Sequence, residues 1–363
     1  MSRRCSSFVP GHRITADLVT AWRALAGRAA EANVFAEPEV VLPAIRHLAG
    51  RSRAGVLVVA DGDELVALLP VVWPVWVPVR GKRFPAPLVS AWVDPYQQLG
   101  TPLVDAADPV GAMAGLLRPP LSLPAPLLLL RYFGEGGPVA DALDEALARR
   151  GREAVRVKTY ERALLLRSGG PPPSRNRKQR YRRAHRYRED MERDLGPVRI
   201  VDRSEDPRAV DEFLALEAAG WKAAAGTALA CRPSSATWFR EVCDGLRAQD
   251  RLEVLSLEAG GRTAAMVVDF RMGDGAVHAK SAYDESLAAY RPGEQLLVHR
   301  AERATEDPCA WRDSATLPDN TVFNQLWPAR RTLSTVVVPL HGPTGSAAVR
   351  ALRFVQAHRE RAS

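Results

Sequence analysis

Residues 252–284 read LEVLSLEAGGRTAAMVVDFRMGDGAVHAKSAYD. Three apolar runs of strand length are separated here by Ala259-Gly260-Gly261 and by Gly273-Asp274-Gly275. Glycine-rich pairs of this kind close tight turns between antiparallel strands, so the stretch predicts a three-stranded meander. Because turns and not helices join these strands, the pattern excludes the strict strand–helix alternation of a Rossmann sheet.

Helices are expected on both sides of the meander. Val210, Phe213 and Leu214 fall on one face of a helix that ends near Gly220, and a loop to Pro292 leads into another helix. The second half therefore predicts a mixed sheet flanked by helices. Its other predicted elements are strands over 197–201, 311–315 and 333–339, and helices over 235–248, 319–326 and 345–359.

The first half repeats this order, with two helices over 18–30 and 38–48 followed by a hairpin that turns at Asp61-Gly62. At 363 residues the chain is long enough for two domains, and three consecutive prolines mark a stiff break at Ser168–Ser174. We therefore predict an α/β fold of two related domains, each with a mixed α+β sheet. The predicted division is 1–167, a linker at 168–174, and 175–363.

The net charge of +8 comes from one segment, which we call the basic cassette. It contains eight basic residues between Arg175 and Arg188 and no acid, and without them the basic and acidic residues are equal at 42 each. A helix over this segment is basic on nearly all faces. It could contact nucleic-acid phosphates, an anionic membrane surface or a polyanionic cofactor, or it could be a solvated helix between domains.

Cysteine and hydropathy patterns exclude several classes of protein. The four cysteines form no CxxC pair, which argues against structural zinc and a disulfide framework, and no metal is expected. The longest uncharged apolar stretch, 65–79, has 15 residues and three prolines, whereas a spanning helix needs about 20 residues. Met1–Phe8 lacks the apolar core of a secretory signal, so we expect a cytoplasmic protein without an integral membrane segment.

Several strings resemble one family. Residues 175–184, RNRKQRYRRA, are similar to the basic helix that opens the acyltransferase half of CelD-like proteins of the GNAT superfamily. Gly220-Trp221-Lys222 and Gly226-Thr227-Ala228 resemble that branch's "sWK … GTA" signature. The strings "KSAYD" at 280–284 and "YRPGEQLL" at 290–297 resemble its strand–loop–helix. In the first half, Trp22, Asn33, Phe35 and Pro38 match its W…N-F..P pattern.

The resemblance implies an N-acyltransferase that uses acetyl-CoA or another acyl-CoA as co-substrate. The acceptor would be a primary amine of a small molecule or of a sugar or peptide precursor. Kinship with the tandem FemAB-type proteins leaves an aminoacyl-tRNA-dependent transferase as an alternative, with tRNA possible but less favoured than CoA. A second alternative is a non-catalytic adaptor that binds nucleic acid or a membrane. A monomer or homodimer is expected.

The CoA site is predicted at the start of the helix that follows the meander. Backbone N–H groups and the helix dipole at such a position attract phosphate. Gly293 allows close approach of the backbone and Arg291 supplies charge, while a carboxylate at Glu294 has to point away from the phosphates. The predicted cofactor-binding residues are Tyr290, Arg291, Gly293, Glu294 and Gln295.

Three residues are predicted to be catalytic. Asp284 ends the last meander strand and could serve as general base or start a turn. Tyr283 could protonate the departing thiolate or belong to the core. Lys222 could bind a carboxylate or phosphate of the substrate, or complement a helix C-terminus.

Substrate-binding residues are predicted on both sides of the meander. Trp221 belongs to the signature before it, and Asn324 stands where the CelD-like branch often has a lysine. Asp319 begins the short helix that contains Asn324 and could instead cap it. His278, inside a predicted strand, is expected to be a core histidine with a hydrogen-bond partner.

Overall fold

The computed structural model describes residues 4–49, 53–79, 82–86, 88–93, 96–118, 120, 123, 125–168, 174–340 and 342–362. The chain divides into two compact units: unit 1 contains Met1–Tyr160 and Thr332–Ser363, and unit 2 contains Glu161–Arg331. The centre of the predicted linker, 169–173, lies outside the described residues.

The helices and strands follow the predicted order closely. In chain order they are β1 (Cys5–Pro10), α1 (Ala16–Gly27), α2 (Pro38–His47), β2 (Arg53–Asp61), β3 (Glu64–Trp73), β4 (Val75–Val79), β5 (Lys82–Ala86), β6 (Leu88–Ala91), β7 (Leu103–Val104), α3 (Pro109–Leu116), β8 (Leu127–Gly134), α4 (Pro138–Ala148), β9 (Val155–Leu166), α5 (Arg175–Leu195), β10 (Val198–Asp202), α6 (Ala209–Ala218), α7 (Trp221–Ala224), α8 (Pro233–Arg247), β11 (Leu252–Ala259), β12 (Arg262–Met272), β13 (Gly275–Tyr283), α9 (Pro292–Glu302), β14 (Trp311–Asp313), α10 (Thr321–Leu326), β15 (Ala329–Pro339) and α11 (Gly342–Ala362).

The two units have sheets of the same design. In unit 1 the strand order is β1-β2-β3-β6-β8-β15, and every neighbouring pair is antiparallel except the parallel pair β6–β8. In unit 2 the order is β9-β14-β13-β12-β11-β10, with β13–β14 as the parallel pair. Helices precede the hairpin and follow the third strand in both, which confirms the predicted tandem of mixed α/β folds.

The last strand of each half of the chain belongs to the other half's sheet. In unit 2, residues 164–166 of β9 pair with β14, and in unit 1 residues 333–339 of β15 pair with β8. The boundaries of the compact units therefore differ from the predicted division at 168–174. The reason is that each of these two strands forms backbone hydrogen bonds in the sheet of the other half. That division, which concerns the two related halves of the sequence, stays a prediction.

Three local features differ from what the sequence pattern predicts. The pattern predicts two short strands over 154–158 and 163–166 and a break at Pro70, but β9 is one continuous strand and Pro70 lies inside β3. Asp206-Pro207 predicts a helix capped at Asp206, but α6 begins at Ala209, because the carboxylate of Asp206 accepts the Arg208 N–H and forms a turn before the helix.

Aromatic and aliphatic contacts hold the helices of unit 2 on their sheet. Phe213 on α6, Phe239 on α8 and Phe270 on β12 pack with ring centroids 5.6 and 6.4 Å apart. A second cluster joins Met191 on α5 and Leu296 on α9 to the apolar side chains of β11 and β12. Helices α5 and α9 are thereby fixed beside the end of β13, where the site lies.

Candidate active site

Strand β13 extends well past its register with β14. Gly275–Val277 pair with Trp311–Asp313, but β13 continues to Tyr283. A pocket of about 160 Å³ lies beside this end of β13, and Ser281, Ala282 and Tyr283 form one wall. The facing wall comes from the end of α6 and from α7. A β-bulge lies just upstream on β13, a feature that proteins often place next to active sites.

A buried carboxylate in this region lies between two lysines. The Glu217 side chain, on α6, is fully buried, and its Oε1 accepts from Lys280 Nζ at 2.8 Å and from Lys222 Nζ at 3.3 Å. Its Oε2 accepts from the Leu229 N–H at 2.8 Å. Burial alone would raise the pKa of Glu217, but the Lys280 ammonium and these hydrogen bonds hold it below its usual value. The cluster is therefore built around an ionised carboxylate.

Lys222 connects this cluster to the pocket. It lies in the short helix α7, just after the end of α6, and its Nζ also donates to the Ser281 carbonyl at 2.6 Å. Burial lowers the pKa of Lys222, and the neighbouring ammonium of Lys280 acts in the same direction. The side chain lines the pocket and is 24% exposed, so solvent or a ligand reaches it.

Trp221 and Glu285 lie at the rim of the pocket. The Trp221 side chain is 55% exposed, although it is a large hydrophobic group. Its backbone N–H donates to the carboxylate of Glu285, which lies two residues after the end of β13. The rim therefore offers an aromatic surface and an exposed carboxylate beside the lysine inside.

Tyr283 lies between the pocket and helix α9. It forms part of the pocket wall, and a Cβ placed on Gly293 would lie 4.0 Å from its ring carbon Cδ1. Tyr283 thus borders both the pocket and the first turn of α9.

The predicted cofactor-binding residues surround the start of α9. Arg291 adopts a left-handed conformation with φ of 49° and turns the chain into Pro292, the first helical residue. Gln295 is buried and donates through Nε2 to the Tyr290 carbonyl at 2.8 Å, so its side chain stabilises the turn. The Tyr290 hydroxyl donates to Asp194 on α5 at 2.9 Å.

The carboxylate of Glu294 is turned towards the basic cassette. Its Oε1 accepts from Arg180 Nε at 2.5 Å, and its Oε2 lies 3.5 Å from Arg291 Nη1. Because Arg180 and Arg291 compensate its charge, Glu294 repels an anion at the start of α9 less strongly than an unpaired carboxylate would. The carboxylate is turned away from this site, as the sequence requires for an anion bound at the turn.

The basic cassette forms α5 and divides into two faces. Arg177 and Arg180 are buried, and Tyr187 lies beneath the guanidinium of Arg291 with its centroid 6.0 Å away. The other face is exposed. Its basic residues are Arg175, Lys178, Arg182, Arg183 and Arg186. One face of the helix therefore supports the start of α9, and the other presents charge to solvent.

Asp284 lies next to the pocket but is occupied by other contacts. Its carboxylate accepts from the N–H and Oγ of Ser286 and pairs with Arg262. Burial would raise the pKa of Asp284, but Ser286 and Arg262 lower it below its usual value. The geometry supports the turn-starting alternative, and the general-base role stays a prediction.

Two predicted substrate-binding residues are not brought to this pocket. Asn324 donates to the Pro318 carbonyl at 2.7 Å and closes a loop, while Asp319 is exposed. Neither belongs to the pocket wall formed by the described residues. Asn320, and not Asp319, caps α10 by accepting the Phe323 N–H. His278 is buried and hydrogen-bonds Asp269 at 2.9 Å, as expected of a core histidine.

Sequence reasoning missed Glu217, Lys280 and the role of Arg180. Two features of the sequence point to Glu217 and Lys280. Glu217 falls four residues after Phe213 on the buried face of α6, where a carboxylate needs a partner. Lys280 is one of only five lysines, in a chain whose basic residues are mostly arginine.

Within the described part of the chain, no helix is long and apolar enough to cross a membrane. Among the same residues, no group of three or more His, Cys, Asp or Glu side chains is placed to hold a metal ion.

Comparison with known proteins agrees with this geometry. Residues 175–316 match the family model described as an acetyltransferase (GNAT) domain. No curated protein is significantly similar to the sequence.

Two solved structures are similar in fold over most of the chain. FemX has a TM-score of 0.55 at 10% identity, covering 88% of this chain and 95% of that chain. The C-terminal domain of a putative lysylphosphatidylglycerol synthetase from Agrobacterium fabrum has a TM-score of 0.51 at 13% identity, covering 92% and 94%. At such identities the likeness concerns the fold. The match to the acetyltransferase (GNAT) domain model covers residues 175–316, and the sheet order and these two structures agree with that match in fold.

Proposed function

We propose that this protein transfers an acyl group from acyl-CoA, acetyl-CoA included, to a primary amine of a small molecule or of a sugar or peptide precursor. The family match supports acyl transfer. The observation that supports this choice of donor is the position of Tyr283, which lines the pocket and whose ring lies beside Gly293 in the first turn of α9. A thioester held by its phosphates at α9 would reach the pocket past this residue.

The parts of the site have distinct roles in this proposal. The Gly293 N–H in the first turn of α9 and the exposed guanidinium of Arg291 bind the pyrophosphate. Pro292 has no N–H, and the N–H groups of Glu294 and Gln295 donate to the Arg291 carbonyl. The amine nitrogen attacks the thioester carbonyl carbon and the C–S bond breaks. The Tyr283 hydroxyl gives its proton to the thiolate, and the nitrogen loses a proton to a base, for which Asp284 remains the proposed candidate.

Calorimetric titration with acetyl-CoA at low salt tests the donor. We expect binding that Gly293→Glu abolishes, because the new carboxylate lies at the phosphate position. Gly293 has helical geometry and open space beyond Tyr283, so the variant is expected to fold. Gly27→Glu is the matched control, since Gly27 ends α1 in unit 1. Apart from its own helix backbone and chain neighbours, no atom of the described residues lies within 4 Å of the position a Cβ would take there. Failure of every CoA thioester to bind would refute the proposal.

A second candidate is an aminoacyl-tRNA-dependent transferase. The exposed face of α5 favours it, because Arg175, Lys178, Arg182 and Arg186 follow helical spacing on one side, as a phosphate-binding stripe would. Transfer from charged tRNA that is lost on RNase treatment, with no transfer from acetyl-CoA, would establish this candidate instead.

A further inference from the structure

A two-stranded hairpin of unit 1 lies apart from the large sheet. It consists of β4 and β5, and among the described strands these two pair only with each other. The hairpin follows β3, whose last residue, Trp73, still packs against the core of unit 1. A pair of strands alone in water is marginally stable, so a surface that covers the hairpin would stabilise it.

The hairpin exposes a large aromatic side chain on each of its faces. Trp76 in β4 is 38% exposed and Phe84 in β5 is 48% exposed. Trp76 lies directly opposite Pro85, so these two residues share a face. Phe84 precedes Pro85 and therefore belongs to the other face. A protein docked on one face would leave the other aromatic ring in water, whereas a layer that surrounds the hairpin would bury both rings.

Charge in this part of the sequence has one sign. Residues 65–93 contain no Asp or Glu, and β5 begins with Lys82-Arg83. Tryptophan side chains are enriched where the acyl chains of a membrane meet the headgroups, and basic residues are attracted to anionic lipids. The hairpin combines the two properties, so its charge and its aromatic groups are complementary to an anionic lipid surface.

The edges of the hairpin do not favour a second copy of the chain as the partner. Each strand of a two-stranded sheet has one unpaired edge, to which a strand of another molecule could add. Pro78 in β4 and Pro85 in β5 have no N–H to donate to such a strand. Growth of this sheet by strand addition is therefore opposed on both sides.

We propose that the β4–β5 hairpin inserts into the headgroup region of an anionic lipid membrane. Trp76 and Phe84 enter the boundary between headgroups and acyl chains, and the positive charge of the segment attracts the lipid phosphates. This surface attaches the protein to one side of a membrane. The proposal is independent of the acyl-transfer reaction and of the choice of acyl donor.

The binding experiment uses the full chain and vesicles of phosphatidylcholine with or without phosphatidylglycerol. We expect sedimentation with the anionic vesicles only, and we expect Trp76→Ser and Phe84→Ser each to weaken that binding about tenfold. Leu317→Ser is the matched control, because Leu317 is an exposed hydrophobic residue of unit 2, at 64%. Binding that neither hairpin variant weakens, or that Leu317→Ser weakens equally, would overturn the proposal.

A depth measurement keeps the test valid if a serine variant unfolds. Lipids brominated in the acyl chains quench tryptophan fluorescence, and the chain has eight tryptophans. We expect the unaltered protein to be quenched on anionic vesicles. Trp76→Phe retains an aromatic ring, so it should still bind the vesicles but lose this quenching. Absence of quenching in the unaltered protein, or equal quenching of bound Trp76→Phe, would show that the hairpin does not insert.

Two other outcomes would identify a different surface. The basic cassette could bind anionic vesicles by charge alone, but Arg182, Arg183 and Arg186 changed together to Gln should leave the quenching of Trp76 in place. If this variant loses vesicle binding while the hairpin variants keep it, the cassette is the membrane surface and the proposal is wrong. A dimer that Trp76→Ser dissociates, in a protein that binds no vesicles, would make the hairpin an interface between copies instead.

Discussion

Arg180 on α5 donates from Nε to Oε1 of Glu294 in the first turn of α9, at 2.5 Å, with both side chains about nine-tenths buried. Arg180 also donates to Gln325 on α10 at 2.6 Å. One arginine of the basic cassette thus joins three helices of unit 2. It also neutralises the acid closest to the proposed phosphate site.

Replacing Arg180 and replacing Glu294 should have different consequences for stability and for acetyl-CoA binding. Arg180→Met leaves Glu294 charged and buried, so we expect the free energy of unfolding to fall by about 3–5 kcal/mol and acetyl-CoA to bind more weakly. Glu294→Gln keeps a hydrogen-bond acceptor and should bind acetyl-CoA at least as tightly as the unaltered protein. Urea unfolding and calorimetry measure the two effects. Weaker binding by Glu294→Gln would show that the carboxylate itself assists the cofactor.

A second buried pair, within unit 2, gives a test of stability alone. Arg162 on β9 lies 2.5 Å from Asp313 on β14, and both side chains are almost completely buried. Arg331 also reaches Asp313, at 3.1 Å. We expect Arg162→Met to lower the free energy of unfolding by about 3–5 kcal/mol, because Asp313 loses its main partner. Arg162→Met with Asp313→Leu should be more stable than the single variant. A double variant as unstable as the single one would mean that packing, and not charge, sets the loss.

Asp284→Asn tests the general-base prediction. The amide retains an acceptor for the Ser286 N–H, so the turn should survive. Ser286 and Arg262 lower the pKa of Asp284, so its carboxylate is ionised at neutral pH, as a base has to be. As the proposed base, Asp284 should be needed for turnover, and we expect Asp284→Asn to lower kcat/KM by about 10²- to 10⁴-fold. A loss of less than about tenfold would leave Asp284 with its turn-starting role alone.

The exposed face of α5 should affect the rate at which acetyl-CoA associates more than the contacts that hold it once it is bound. Arg182, Arg183 and Arg186, changed together to Gln, should slow acetyl-CoA association several-fold at low ionic strength. The difference should vanish near 1 M salt, where the Debye length is about 3 Å. Stopped-flow measurement across a salt series checks this.

A charge-matched control separates this effect from net charge. Arg208, Arg232 and Arg240 are exposed in unit 2 outside the cassette, and their change to Gln should leave association nearly unaltered. If the cassette variant instead loses RNA or vesicle binding while CoA association is unaffected, the non-catalytic adaptor becomes the better description.

His299 on α9 should make stability depend on pH. Burial, followed by the charges of Arg303, Arg188 and Arg300, lowers the pKa of His299 from 6.5 to about 4. Between these values the unfolded imidazole binds a proton that the folded one does not, so stability is lost as the pH falls from about 6.5 to about 4. Because the residue is partly exposed, we expect a loss of about 1–2 kcal/mol. His299→Gln should remove that part of the pH dependence of urea unfolding, and an identical pH dependence in the variant would contradict the assignment.

The sequence by itself determined the elements and their order. Local signals were strong at the turns Gly260-Gly261 and Gly273, where positive φ angles suit glycine, and at the apolar periodicity of α6. The same signals placed Tyr283 and Gly293 on one strand–loop–helix. The duplication followed from element order alone.

Only the tertiary structure decided the chemistry of the site and the strand exchange. Glu217, Lys222 and Lys280 are up to 63 residues apart, and their contact depends on how α6 and α7 pack against β13. The exchange of β9 and β15 leaves no local trace, because a strand has the same alternation whichever neighbour it pairs with. The role of Arg180 likewise depends on a partner 114 residues away, since burial and pairing are properties of the folded chain.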